Sequence, residues 1–278
     1  MRRKLADLGW EEHRNIQLVL RWGGGDPEKT RIFAKELVGM SPSVIVTSTN
    51  QATETMRQET QTIPIVFASL GDPVGSGLVA SIHRPGGNVT GFPAFVESMG
   101  GKWLELMNEV APNATRIGFI HHPGVAPHRG LVSAAQAAAP PLKIDLVPLP
   151  VHNANEIRSA ITTFAAGGYG GLVTGSHAVT YSNRDLLIRL ATQHRLPSLF
   201  GDPLFAESGA LLSYGSDQAE MFLGAASYVD QILKGSKPAE MPVQLPTKFH
   251  FIINLKTAEA ISIAIPPAIL ARADRVIE

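Results

Sequence analysis

The chain has 278 residues, with 24 Lys+Arg balanced by 24 Asp+Glu, 44% hydrophobic residues and no cysteine. At roughly 100–200 residues per domain, that length suggests two domains with full cores. Zero net charge offers no broad attraction for nucleic acid or an anionic membrane, and the missing thiols exclude disulfides, thiolate metal sites and Cys nucleophiles.

The opening, Met1 to Trp10, reads as the last turns of a helix, with Leu5 and Leu8 three apart and Gly9 where a helix would stop. It does not have the form of a secretory leader. A parallel α/β domain normally begins with a buried strand, so a first strand, and any leader before it, are expected outside this sequence. Short apolar runs predict strands over Ile16–Leu20, Val44–Val46, Ile65–Phe67, Arg116–Ile120, Lys143–Pro148, Gly171–Val173, Ser198–Phe200 and Ala210–Ser213. They do not alternate cleanly, which favours parallel sheets covered on both faces. Helical patterns fall between them, over Pro27–Val38, Gln51–Thr60, Ser98–Val110, His128–Ala139, Asn155–Ala166, Ser182–His194 and Asp217–Leu233. This alternation is the doubly wound α/β pattern. The Gly- and Pro-rich stretch from Arg84 to Pro93 is expected to cross between domains without regular structure. Lys248–Asn254 reads as a strand, and Ile265-Pro-Pro267 is expected to lead into a terminal helix ending near Glu278. No run approaches the roughly 18 apolar residues of a membrane span.

Enzyme signatures fail on inspection. Gly75-Ser76-Gly77 has Val at position 74 where a nucleophile elbow needs Gly. Gly23-Gly24-Gly25 has Glu28 where a dinucleotide loop needs Gly, and no Walker loop occurs. Glu11-Glu12 read as a solvated turn. No catalytic residue, cofactor or metal is expected: His121, His122 and His128 lack a further ligand at suitable spacing, and Pro123 and Pro127 intervene.

Longer motifs carry a resemblance. Ile63 to Ala80 (IPIVFASLGDPVGSGLVA) and Arg84 to Gly91 (RPGGNVTG) are similar to bacterial ABC-transporter substrate-binding proteins, specifically the tryptophan/tyrosine-binding-like group of type I periplasmic binding proteins. Tyr228 to Gly235, Leu245 to Lys248, Ile253 to Ala258 and Ile265 to Asp274 extend the similarity over nearly the whole chain. The resemblance implies two Rossmann-like lobes joined by three crossing segments, residues 1–92 with 214–243 and residues 93–213 with 244–278. It implies a small-molecule ligand held between lobes that close over it, a membrane ABC permease as partner, no nucleic acid, no membrane insertion, and a periplasmic or other extracytoplasmic location. Family members carry an export signal and a first strand ahead of the segment matching Arg2–Trp10, so the first lobe is expected to lack that strand. A ligand-sensing domain of a regulatory protein is the alternative.

In open α/β sheets, ligands bind beyond the carboxyl ends of the strands. Thr47 to Asn50 end one strand and open a helix, where Ser48, Thr49 and Asn50 can either contact ligand or cap the helix. The next strand ends near Ala68 and Asp72; Asp72 can accept from a ligand ammonium or brace the turn before Pro73. Phe67, Phe92 and Tyr214 are candidate apolar walls or plain core. In the second lobe His122, Ser176 with His177, and Phe200 end strands and are candidate contacts. His121-His122 stand where the family often has Trp-Asn, and Ser176 near a frequent acidic residue. These departures bear on ligand identity; an aromatic amino acid or related carboxylate is the class expected.

Overall fold

The structure is a computed structural model that describes residues 1–278. In chain order its elements are helices α1 (Arg2–Asp7) and α2 (Pro27–Gly39), strand β1 (Ile45–Thr47), α3 (Asn50–Glu59), and strands β2 (Ile65–Gly71) and β3 (Val89–Phe95). Next come α4 (Met99–Val110), β4 (Arg116–His121), α5 (Ala126–Ala138), β5 (Asp145–Pro150), α6 (Ala154–Ala166) and β6 (Gly171–Thr174). Helices α7 (Ala178–Ser182) and α8 (Arg184–Gln193) precede β7 (Ser198–Phe200), α9 (Pro203–Glu207), β8 (Leu212–Gly215) and α10 (Gln218–Leu233). The chain ends with β9 (His250–Asn254), α11 (Leu255–Ala260), α12 (Pro267–Leu270) and β10 (Arg275–Ile277). The residues divide into two compact units, Met1–Val96 with Gln218–Thr247 and Glu97–Asp217 with Lys248–Glu278.

In the first unit β1, β2 and β3 form a parallel sheet in that order. Strand periodicity assigns β2 residues to two cores. Val66 and Ala68 pack with Met221, Ala225 and Val229 of α10 and with Leu5 of α1. Ile65, Phe67 and Leu70 face Ala34 of α2 and Met56 of α3. Both faces are covered, which is why the sequence of β2 is almost uniformly apolar. Helix α1 is further tied down by Trp10, whose indole N–H donates to Asp230 Oδ1 at 2.8 Å.

Two expectations fail here. Ile16–Leu20 is not a strand: apart from an isolated bridge between Glu12 and Ile16, it joins no ladder. Ile16 and Leu18 pack on the α10 side of the core, whereas Leu20 is 55% and Trp22 80% exposed. Its apolar content is thus only half absorbed, and β1 pairs on one side only, with β2. Conversely, residues 84–88 of the Gly/Pro-rich stretch lack regular structure as expected, but from Val89 onward it is ordered as β3. Pro93 is tolerated because β3 is an edge strand. Gly91 adopts φ +150°, and a Cβ there would lie 2.1 Å from the Phe67 carbonyl oxygen.

The second unit holds a seven-stranded sheet in the order β10-β9-β8-β7-β6-β4-β5, parallel except between β8 and β9. Ile120, Leu172 and Phe200 meet Ile157, Ile161 and Phe164 of α6 and Leu187 and Leu190 of α8. On the other face Trp103 of α4 lies 6.2 Å from Phe119, ring to ring, and donates its indole N–H to the Tyr214 carbonyl at 2.8 Å. The expected terminal helix is instead the short α12 followed by β10. Asp274 exchanges hydrogen bonds with the Phe251 backbone, and β-branched Val276 and Ile277 then continue alongside β9.

Helices α4 and α5 approach closely enough that a Cβ on Gly100 would sit 2.1 Å from the Leu131 carbonyl oxygen. Gly39, near the end of α2, faces open space. Gly100→Ala is expected to cost about 1–3 kcal/mol from overpacking against backbone, despite its better helix propensity. Gly39→Ala is expected to be neutral or to stabilise by up to about 1 kcal/mol. Urea unfolding should therefore move to lower urea for Gly100→Ala and stay or move to higher urea for Gly39→Ala.

Candidate functional site

The candidates of the first unit divide into structural and uncommitted groups. Thr49 caps α3, its hydroxyl accepting from Ala52 N at 3.0 Å. Asn50 is bound to the end of β2, donating to the Gly71 carbonyl at 2.8 Å and accepting from Gly71 N at 3.0 Å. Asp72 braces its turn, accepting from Gly75 N at 2.8 Å. Phe67 and Ala68 are fully buried in the two cores. The Phe92 ring meets Tyr228 edge-on at 4.7 Å and lies over Gly224 of α10. Ser48 alone among these polar groups is exposed and makes no hydrogen bond of its own.

One feature of this unit is invisible in sequence. Ser69 lies within β2 at φ +65°, where the register with β3 shifts. A non-glycine residue in the left-handed region at a strand bulge is strained and turns its side chain off the regular pleat. Nothing about a serine between Ala68 and Leu70 signals this.

In the second unit the predicted residues converge with two others. His122 follows β4, His152 follows β5, and Ser176 and His177 follow β6, three adjacent strands of the sheet. The His122 ring lies 4.8 Å from His177 and 5.0 Å from His152, and His177 lies 5.2 Å from His128 of α5, centre to centre. The sequence offers His128 only as a potential metal ligand, and no motif singles out His152. The rule of strand carboxyl ends would have found His152, since it follows β5 as His122 follows β4.

Hydrogen bonds fix three of these rings. Backbone N–H groups donate to Nδ1 in each: Gly124 to His122 and Val179 to His177, both at 3.2 Å, and His122 to His128 at 3.1 Å. A neutral imidazole that accepts at Nδ1 carries its proton on Nε2. His128 uses that proton toward the Ser176 carbonyl at 3.2 Å. The Nε2–H groups of His122 and His177 meet no protein acceptor. The Ser176 hydroxyl is buried without a partner. Tyr214, at the end of β8, stacks on Phe249 at 5.7 Å, whereas Phe200 is buried and stacked on Phe205 at 4.5 Å. No three potential ligands converge in metal-binding geometry.

Burial sets the protonation of this cluster. It lowers the pKa of His128 to about 3 and of His177 to about 4, and it also lowers His121 and His122. The neighbouring histidines push in the same direction. The rings are therefore neutral at pH 7.

The comparisons with known proteins agree with this architecture. Residues 1–277 match the family model described as ABC transporter substrate binding protein, and the chain belongs to that family. A curated relative, the Tyrosine-binding protein of Clostridioides difficile (strain R20291), is 24% identical over 257 residues, covering 92% of this chain and 74% of that protein. Among solved structures, a conserved domain protein from Vibrio cholerae O1 biovar El Tor superposes with a TM-score of 0.93 at 30% identity, covering 99% of this chain and 92% of that one. An ABC domain from Streptococcus pneumonia in complex with L-Trp gives 0.92 at 25% identity with the same coverage. The fold is that of type I periplasmic binding proteins. No helix is long and apolar enough to cross a membrane.

Below pH 6.5 the unfolded chain takes up protons that folded His128 and His177 refuse. Stability should therefore fall as pH drops from about 6.5, by about 1.4 kcal/mol per pH unit for each ring, down to about 4 for His177 and 3 for His128. Above pH 6.5 the two rings add no pH dependence. Urea unfolding at pH 7.5, 6.5, 5.5 and 4.5 tests this. His128→Phe should flatten the slope and lower stability at pH 7, because His122 N and the Ser176 carbonyl lose their partner.

Proposed function

We propose that the protein is the solute-binding component of an ABC importer, capturing a small aromatic amino acid or related carboxylate and releasing it unchanged. The observation that carries this reading is chemical. Polar groups at strand carboxyl ends are left uncommitted in both units, Ser48 in the first and His122, Ser176 and His177 in the second. No nucleophile–base pair accompanies them. The relatives that bind tyrosine and L-Trp support the ligand class.

In the proposed cycle, ligand contacts made by both units favour a closed arrangement through its differential affinity for ligand. The closed form then docks on a membrane permease outside the cytoplasm. A thermal-shift screen of amino acids and aromatic carboxylates tests the assignment. A ligand at 100 times its Kd should add about 2.7 kcal/mol of stability. Ser48→Ala should reduce that gain while leaving the unliganded melting temperature unchanged. A screen in which only sugars or polyamines raise the melting temperature would contradict the ligand class.

A further inference from the structure

The loops that leave β4 and β6 are rich in uncommitted donors and poor in uncommitted acceptors. The donors are the Nε2–H groups of His122 and His177, on rings 4.8 Å apart, and the buried hydroxyl of Ser176, the residue before His177. Two N–H···O bonds of about 2.9 Å to one carboxylate readily bridge that separation.

Most acceptors on the same loops are engaged; the Gly124 carbonyl, the Ser176 hydroxyl oxygen and the buried His121 Nδ1 are the exceptions. The carbonyls of His121, His122, Thr174 and His177 accept from the backbone N–H groups of Val151, Val125, Gly201 and Tyr181. Those of Pro123, Gly175 and Ser176 accept from the side chains of Arg129, Thr180 and His128. The nearby carboxylates are also occupied. Glu156 holds His152 through backbone N and Nδ1, at 3.0 and 2.8 Å, and Asn153 at 2.7 Å. Asp202, after β7, caps α9 through Leu204 N at 2.9 Å and takes the Tyr181 hydroxyl.

We infer that His122, Ser176 and His177 receive the carboxylate of an organic acid that carries no ammonium group, so the preferred ligand is an aryl-alkanoate rather than an α-amino acid. The inference rests on the reading of the chain as an aromatic-acid binder and narrows it. An ammonium placed among these loops would face the N–H groups of His122 and His177 and meet no uncommitted carboxylate, whereas a carboxylate meets three donors. The backbone N–H groups of Gly124 and Val179 also bar the alternative occupant, a cation. A metal bound at Nε2 requires the proton on Nδ1, where each ring already accepts a hydrogen bond.

The test is calorimetric titration of the full chain at pH 7.5 with three indole probes. These are indole-3-propionate, which has only a carboxylate; L-tryptophan, which has both groups; and tryptamine, which has only the ammonium. Indole-3-propionate should bind at least tenfold more tightly than L-tryptophan, and tryptamine should give no heat. His177→Asn preserves an N-cap acceptor for α7 while removing the ring donor. It should weaken indole-3-propionate roughly 10- to 100-fold, the range for losing a hydrogen bond to a charged group. Ser176→Ala should weaken the same probe with no loss of melting temperature, since it removes a buried hydroxyl that has no partner.

L-tryptophan binding as tightly as indole-3-propionate would overturn the inference and leave the aromatic-acid reading standing. An unchanged Kd in both variants would do the same. Failure of all three indoles to bind would overturn both.

Discussion

What the second unit can offer a ligand follows from a constraint on its sheet. Strands β4, β5, β6 and β7 run parallel, so the loops leaving their carboxyl ends gather along one edge. Four of the chain's nine histidines are held there within ring contact of one another. Each would be a flexible, titratable group on an ordinary surface. Here burial keeps the rings of His122, His128 and His177 neutral, and a backbone N–H against Nδ1 decides which nitrogen bears the proton. The ambiguity of donor and acceptor is thereby resolved, and the Nε2–H groups of His122 and His177 are left without a protein acceptor.

The first unit uses its residues differently. Thr49, Asn50 and Asp72 are chemically suited to a ligand, but Thr49 and Asp72 spend their side chains on their own turns and Asn50 spends its on the end of β2. That work has a purpose at strand ends, where a helix start leaves N–H groups unpaired and the turn after β2 passes through a positive φ at Asp72. These bonds tie the two strand ends to their own turns and to each other, while Ser48 is left exposed.

The fold was legible wherever packing on two faces dictated the sequence. The runs of β2, β4, β6 and β7 are apolar because helices cover both sides; β4, β6 and β7 end within one residue of the bounds read from the residues, whereas β2 runs four residues further, to Gly71. Legibility failed where tertiary context overrides local propensity. Pro93 and Gly91 argue against a strand unless one knows that β3 lies at an edge and needs close approach to Phe67. Ile16–Leu20 has strand composition but finds no ladder. The final residues become β10 because Asp274 binds the Phe251 backbone, a partner 23 residues away. Of the candidate site, positions at strand ends were readable. The commitments of their side chains were not: only the structure shows Thr49 capping α3 and Asn50 tied to Gly71, and Ser69's backbone angle leaves no trace in composition.

Tautomer state is the most direct check on this account. Nitrogen-15 correlation spectra of the labelled protein at pH 7 should show His122 and His177 with bare Nδ1 and protonated Nε2, and His177 should remain neutral down to pH 5. Imidazolium signals at pH 7, or a proton on Nδ1 of either ring, would contradict it.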